Sequence, residues 1–135
     1  MESRNWNPRG FTLLELMVVL VVMLIVASMA VPAYNRAIQR SREVVLRDDL
    51  ATMRRMIDEF TVDKQRPPES LQELVDAGYL RGGIPVDPLT QSSETWQVDI
   101  DEVPTGSDTP QSGVVDVHSG SNETALDGTT TYNSW

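Results

Sequence analysis

The sequence has no cysteine and a single histidine, His118, among its 135 residues. Without cysteine the chain can form neither a disulfide nor a thiolate metal site, although this absence does not fix the compartment. A metal site would need oxygen ligands, which favour hard cations such as calcium. The single histidine has no evident nucleophile to pair with, so few groups are available for acid–base catalysis. We therefore do not expect this protein to be an enzyme.

Basic residues are scarce as well. The chain has 11 Lys and Arg against 20 Asp and Glu, which gives a formal net charge of −9. Because this excess repels phosphate, a nucleic acid is not an expected partner. The sequence also lacks a glycine-rich phosphate loop, so any ATP-driven step must be carried out by another protein.

Apolar residues are concentrated near the N-terminus. Residues 16–31 contain no charge and one polar side chain, Ser28. A helix from Phe11 to Val31 would be roughly 31 Å long, which is enough to cross the hydrocarbon core of a bilayer. The arginines that precede this segment, Arg4 and Arg9, predict a cytoplasmic N-terminus.

One acid, Glu15, lies inside the apolar segment. An intramembrane carboxylate is costly and usually has a partner. A cleavable secretory signal with a cleavage site at Ser28-Met29-Ala30 would account for the apolar residues, and so would a simple uncleaved anchor. Neither alternative explains why an acid lies inside the apolar segment.

The helical pattern continues beyond the apolar segment as one stripe with steps of four and three residues: Leu46, Leu50, Met53, Ile57 and Phe60. Pro32 is expected to kink the helix or melt it locally. We therefore predict one bent helix from Phe11 to about Asp63, with a transmembrane or fibre-core half at residues 11–32 and an amphipathic half at 33–63.

Residues 64–135 are predicted to form a small α+β head. Pro68 suits the first turn of a short helix with Leu71, Leu74 and Val75 on its buried face, and Gly78 suits its C-terminal cap. An extended link at 84–88 precedes a strand at 94–100 with Trp96, Val98 and Ile100 on one face. A polar loop at 104–113, a second strand at 113–118 and an irregular tail follow, so the head should carry a short antiparallel sheet.

The junction Gly10-Phe11-Thr12-Leu13-Leu14-Glu15, with its basic leader, apolar helix and Pro32, resembles the prepilin signature of the type IV pilin-like superfamily. The resemblance implies that a prepilin peptidase removes residues 1–10 by cleaving between Gly10 and Phe11, and N-methylates Phe11. The new Phe11 amine can then pair with Glu15 of an adjacent subunit, which favours one stagger between neighbours.

Motifs in the head are similar to those of the major (G-type) pseudopilins of type II secretion. They are Gly78-Tyr79-Leu80, Asp87-Pro88 and the segment VDVHSG at 115–120. Two features depart from that family: residues 89–93 (LTQSS) replace its usual Trp-Gly-Asn-Pro-Tyr, and the terminal loop is shorter.

The resemblance implies a pilin-like, lollipop-shaped subunit that assembles into a homo-oligomeric fibre and drives protein secretion. It further implies minor pseudopilins and an inner-membrane secretion platform as partners. The subunit would first cross the bacterial inner membrane once, with the N-terminus cytoplasmic and the head periplasmic, and then enter a periplasmic pseudopilus. The alternatives are a type IV pilus subunit, a periplasmic binding domain behind a signal peptide, and a small enzyme on an anchor.

The same resemblance implies a calcium ion in the loop that follows the last strand. The predicted ligands are Asp116, the Val117 carbonyl, Ser119 and Asp127, although the spacing is not that of an EF-hand. The alternative is a solvated tail that Tyr132 and Trp135 hold against the sheet.

Overall fold

The computed structural model describes residues 10–104 and 110–135, so the predicted leader before Gly10 and the middle of the predicted loop at 104–113 lie outside it. Its elements are α1 (Leu13–Lys64), α2 (Leu71–Asp76), β1 (Gln97–Val103), β2 (Gln111–His118) and a 3₁₀ helix at Tyr132–Ser134. This order confirms the predicted α+β class with a long N-terminal helix. The chain divides into two compact units, which we call the N-terminal unit (up to Ala37) and the head unit (Ile38–Trp135).

Helix α1 begins and ends within two residues of the predicted positions. Thr12 caps it, because its Oγ1 accepts a hydrogen bond of 3.2 Å from the Glu15 N–H and its carbonyl accepts one of 3.1 Å from the Leu16 N–H. The helix continues through Pro32, so the predicted local melting there is wrong, whereas the kink stays a prediction. Proline removes one donor from the hydrogen-bond ladder, and this loss does not end the helix.

The core of the head unit is built on the predicted stripe of α1. All five stripe residues are buried, and α2 adds Leu71 and Leu74 while β2 adds Val114 and Val117. Leu80, Trp96, Ala125 and Tyr132 complete the cluster. The stripe also extends one turn towards the N-terminus to a buried acid, Glu43, which the sequence analysis missed.

Helix α2 starts three residues after Pro68, so the predicted role of this proline in the first turn is wrong. Ser70 is the N-cap instead, since its Oγ accepts a 3.3 Å hydrogen bond from the Glu73 N–H. Gly78 follows the helix with φ +83°, a left-handed conformation that favours glycine and agrees with the predicted stop signal.

Strands β1 and β2 pair antiparallel, with Val98 opposite Val117 and Ile100 opposite Val114. The register shifts between Asp99 and Ile100, which leaves Val115 as an extra residue on β2. Strand β1 begins three residues later than predicted. Of the predicted apolar face, Trp96 is buried but precedes the strand, whereas Val98 and Ile100 within the strand are exposed. The sheet covers the core with β2 instead.

The start of β2 contacts the two prolines that precede α2. The Val114 N–H donates a 2.8 Å hydrogen bond to the Pro68 carbonyl. A Cβ atom on the neighbouring Gly113 would lie 2.6 Å from that same oxygen, so only glycine allows this approach. This contact fixes the start of strand β2 beside the segment that leads into the N-terminus of α2.

Candidate assembly site

The predicted processing junction lies at the start of the described chain. Gly10, Phe11 and Thr12 precede helix α1, and Phe11 is 84% exposed. A peptide bond outside a helix is accessible to a peptidase without local unfolding. The predicted cleavage between Gly10 and Phe11 is untested, and this geometry is compatible with it.

Glu15 lies in the first turn of α1 and is exposed. A carboxylate near a helix N-terminus interacts favourably with the aligned peptide dipoles. The described residues give the Glu15 side chain no hydrogen bond or ion pair. Its carboxylate is therefore accessible to groups outside the described part of this chain.

The apolar half of α1 has no buried side chain within the described residues. Its most apolar 18-residue window has a mean hydropathy of 2.8 and is 0% buried. The exposed large side chains are Phe11, Leu13, Leu14, Leu16, Met17, Val18, Val19, Leu20, Val21, Val22, Met23, Leu24, Ile25, Val26, Met29 and Val31. Length and composition allow this segment to cross a membrane.

In the head unit, Glu43 holds the C-terminal tail. Its Oε1 accepts hydrogen bonds from the Leu126 N–H (2.7 Å) and from the Tyr132 hydroxyl (2.9 Å). Gln39 donates to the same Tyr132 hydroxyl at 2.9 Å and to the Thr124 carbonyl at 3.3 Å. Burial, with the acceptor Glu43 beside it, raises the pKa of Tyr132.

The spacing of the stripe was the only signal for Glu43 in the sequence. Residue 43 precedes Leu46 by three positions and therefore lies on the buried side of α1. Its donors lie more than eighty residues away in the chain. Their proximity depends on the folded head, so the sequence could not reveal it.

A second buried acid, Asp87, joins the Asp-Pro motif to the end of β2. Its Oδ2 accepts hydrogen bonds from the Ser119 hydroxyl (2.6 Å) and the Gly120 N–H (3.2 Å), and its Oδ1 accepts one from the Leu89 N–H (2.8 Å). Asp87 and Ser119 are both fully buried. Two of the three head motifs, Asp87-Pro88 and the segment at 115–120, thus contact each other.

Two of the predicted calcium ligands bind an arginine in this structure. Asp116 Oδ1 lies 2.6 Å from Arg54 Nε, and the Val117 carbonyl accepts a 3.0 Å hydrogen bond from Arg54 Nη2. Burial alone would raise the pKa of Asp116, but hydrogen bonds from the Val117 N–H and from Arg54 lower it overall.

The other two predicted ligands have separate partners. Ser119 donates to Asp87, whereas Asp127 accepts hydrogen bonds from the N–H groups of Thr129 (2.8 Å) and Thr130 (2.9 Å) and from the Thr130 hydroxyl (2.6 Å). The hydrogen bonds from Thr130 and Thr129 lower the pKa of Asp127 to about 2. Within residues 10–104 and 110–135, no three acidic or histidine side chains are grouped to hold a metal. Calcium binding stays a prediction.

The tail contacts helix α1 as well as the sheet. The Tyr132 hydroxyl reaches Glu43, and the Trp135 ring lies edge-on to Tyr132 with a centroid distance of 5.1 Å. The Arg47 guanidinium carbon lies 4.3 Å from the centre of the Trp135 ring. The alternative view of a tail held by Tyr132 and Trp135 thus matches the structure, with α1 as an additional support.

Comparison with known proteins supports the resemblance to the type IV pilin-like superfamily and to its major pseudopilins. The family described as "Prokaryotic N-terminal methylation motif" matches residues 7–31. The type II secretion system core protein G of Klebsiella pneumoniae is 32% identical over 116 residues, which cover 70% of this chain and 82% of that protein. The protein of the same name from Klebsiella michiganensis is 30% identical over 119 residues, which cover 72% and 83%.

No solved structure matches the chain. The methylation motif covers the N-terminal segment, and the two relatives extend the likeness over most of their own length. The chain therefore belongs to the type II secretion core protein G family, the major pseudopilins of the type IV pilin-like superfamily.

Proposed function

We propose that this protein is the structural subunit that assembles into the periplasmic pseudopilus of a type II secretion system. The observation that carries the proposal is the unburied apolar half of α1. Each of its large side chains gains about 1.5–3 kcal/mol when it is transferred out of water. For the whole segment this is on the order of tens of kcal/mol, so lipid or other copies of the segment must cover it.

Exchange between these two environments is the assembly reaction. Before assembly the segment lies in the inner membrane, and afterwards it packs against the same segment of neighbouring subunits in the fibre core. Both environments are apolar, so the transfer itself releases little hydrophobic free energy. The direction of growth therefore needs an energy source, which we assign to an ATP-driven component of the inner-membrane platform.

Glu15 gives the packed segments a register. Cleavage between Gly10 and Phe11 creates an ammonium group four residues before this carboxylate, and we propose that the two groups pair between adjacent subunits. A carboxylate without a partner is costly in an apolar environment, so neighbouring helices favour the stagger that supplies one. The pair selects a register more than it adds net stability.

The proposed partners are the prepilin peptidase, other copies of the chain, minor pseudopilins and the secretion platform. Before assembly the N-terminus would be cytoplasmic and the head periplasmic. This orientation relies on the cytoplasmic processing that the prepilin signature implies. Charge alone does not set it, because Arg36, Arg40, Arg42 and Arg47 follow the apolar segment while Arg4 and Arg9 precede it. We propose no catalytic role.

The first test is the N-terminal residue and mass of the protein from membranes that contain an active prepilin peptidase. We expect a chain that begins at methylated Phe11 and lacks residues 1–10. A Gly10→Val variant is the matched control and should keep the unprocessed mass, because it removes the glycine that precedes the cut in the prepilin signature. A wild-type chain that begins near Val31, or that retains Met1 beside the active peptidase, would contradict the proposal.

A further inference from the structure

Arg54, in the amphipathic half of α1, contacts the end of β2 and the last residue of the chain at the same time. Its Nε binds Asp116 Oδ1 at 2.6 Å. Its Nη2 donates to the Val117 carbonyl at 3.0 Å and to the main-chain oxygen of Trp135 at 2.7 Å. One guanidinium thus joins the helix, the strand and the tail.

Neighbouring side chains complete this cluster. His118 Nδ1 contacts the Trp135 main-chain oxygen, and His118 Nε2 lies 3.2 Å from Asp99 Oδ2. On the other side of Trp135, Arg47 covers the ring and Thr130 accepts a 3.1 Å hydrogen bond from the indole N–H. The three oxygen atoms to which Arg54 donates thus belong to residues whose neighbours also hold them in place.

The ligands predicted for calcium do not fit one shared cation in this arrangement. Arg54 already binds Asp116 and the Val117 carbonyl, whereas Ser119 is committed to the buried Asp87 and Asp127 to the turn at Thr129 and Thr130. Calcium requires six to eight oxygen atoms around one point. The positive charge at the strand end is already supplied by the protein.

We propose that Arg54 is the internal cation that orders the C-terminal tail, so that the tail of this subunit stays folded without a divalent ion. A planar guanidinium suits this task because its donors have a fixed geometry that can serve a carboxylate and two main-chain oxygens together. Lysine carries the same charge but presents it as a point, without that geometry. The inference goes beyond fibre assembly, since it concerns how each subunit is stabilised before it is incorporated.

The test compares Arg54→Gln with Arg55→Gln in the full-length chain in detergent micelles. Arg55 is the adjacent, exposed residue and loses the same charge. We measure Tm in EDTA, in 2 mM CaCl2 and in 2 mM MgCl2, and hydrogen exchange of residues 119–135. The wild-type Tm should differ by less than 2 °C among the three conditions. Arg54→Gln should lower Tm by about 4 °C or more and accelerate exchange in the tail, whereas Arg55→Gln should do neither.

Arg54→Lys keeps the test decisive if the glutamine variant does not fold. It should fold with a Tm below that of the wild type, and its tail should exchange faster than that of the wild type. Two results would overturn the proposal: a wild-type Tm at least 2 °C higher in CaCl2 than in MgCl2, or tail exchange in the Arg54 variants equal to that of Arg55→Gln. The first result would show that calcium stabilises the tail.

Discussion

Two of the three glutamates of helix α1, Glu15 and Glu43, lie in opposite surroundings. Glu43 is buried in the head unit and accepts two hydrogen bonds from the tail of its own chain. Glu15 lies in an exposed apolar segment, and the described residues of the same chain give its side chain no partner. A buried acid whose hydrogen bonds come from its own fold contributes to a stable monomer. An acid on an exposed apolar segment is accessible to a second molecule, and our proposed pairing with the Phe11 amine uses this accessibility.

The same contrast holds for the apolar residues of this helix. Those between Leu46 and Phe60 face one side and are buried in a core. Those between Phe11 and Val31 surround the helix, and none is buried among the described residues. One continuous helix thus stabilises the head with one half and presents the other half for membrane insertion and assembly.

Replacing Glu15 should have the largest effect on function. Glu15→Leu keeps the segment apolar but removes the group that we propose to pair with the Phe11 amine. We expect the yield of assembled fibres to fall by more than about tenfold, while the Tm of the head stays within about 1 °C of the wild type. Immunoblots of fibres sedimented from the periplasmic fraction and thermal denaturation in detergent measure the two quantities.

Glu59→Gln is the matched control for Glu15, because Glu59 is an exposed acid on the same helix within the head unit. It should leave the fibre yield unchanged. Wild-type yields of fibres from the Glu15→Leu protein would show that the two glutamates do not differ in the way described here.

Replacing Phe60 should have the largest effect on stability. Phe60 is buried in the core, and its ring centroid lies 5.4 Å from that of Tyr79. Phe60→Ala removes a large side chain and leaves a cavity, which should lower the free energy of unfolding by about 3–5 kcal/mol. Leu20→Ala in the exposed apolar segment is the counterpart and should leave this free energy unchanged. Urea denaturation followed by tryptophan fluorescence measures the free energy of unfolding of both variants. Equal effects would contradict the conclusion that only one half of α1 contributes to the core of the head.

Replacing Glu43 should have an intermediate effect. Glu43→Ala leaves the Tyr132 hydroxyl without its acceptor and the Leu126 N–H unpaired, which should cost about 1–3 kcal/mol of stability. The loss should appear first as faster hydrogen exchange in residues 120–135, because this segment depends on the contact. If exchange in the tail is unaffected, Glu43 does not hold it.

The smallest effect concerns the turn at Asp127. The pKa of this exposed carboxyl is lowered to about 2 by hydrogen bonds from Thr130 and Thr129. A lowered pKa means that the ionised form stabilises the turn above pH 4, and that this contribution is lost as the pH falls through 2. An NMR titration of the Asp127 carboxyl carbon should give a midpoint well below 3.8. Asp127→Asn should remove the titrating signal and weaken the turn above pH 4, where the wild-type carboxyl is ionised. A midpoint near 3.8 would show that the turn does not form in solution.

Local patterns predicted most of the regular elements. The spacing of apolar residues gave α1 to within two residues at each end, and Gly78 marked the end of α2 because a left-handed position favours glycine. The predictions failed where two nearby residues were both suited to the same structural position. Pro68 and Ser70 both suit a helix start, and the Ser70 side chain caps α2. Strand β1 has an alternating pattern, yet the residue that reaches the core is Trp96, which precedes the strand.

The sequence alone determined the features that depend on adjacent residues: the prepilin junction at Gly10 and Phe11, the apolar segment that holds Glu15, and the stripe that builds the head. These need only helical periodicity and the chemistry of a short motif. Tertiary structure alone decided which acids meet which donors. Glu43 reaches Tyr132, Asp87 reaches Ser119, and Arg54 reaches Asp116, each across a separation that only the folded head closes. Such contacts depend on the packing of distant elements, and no local pattern encodes that packing.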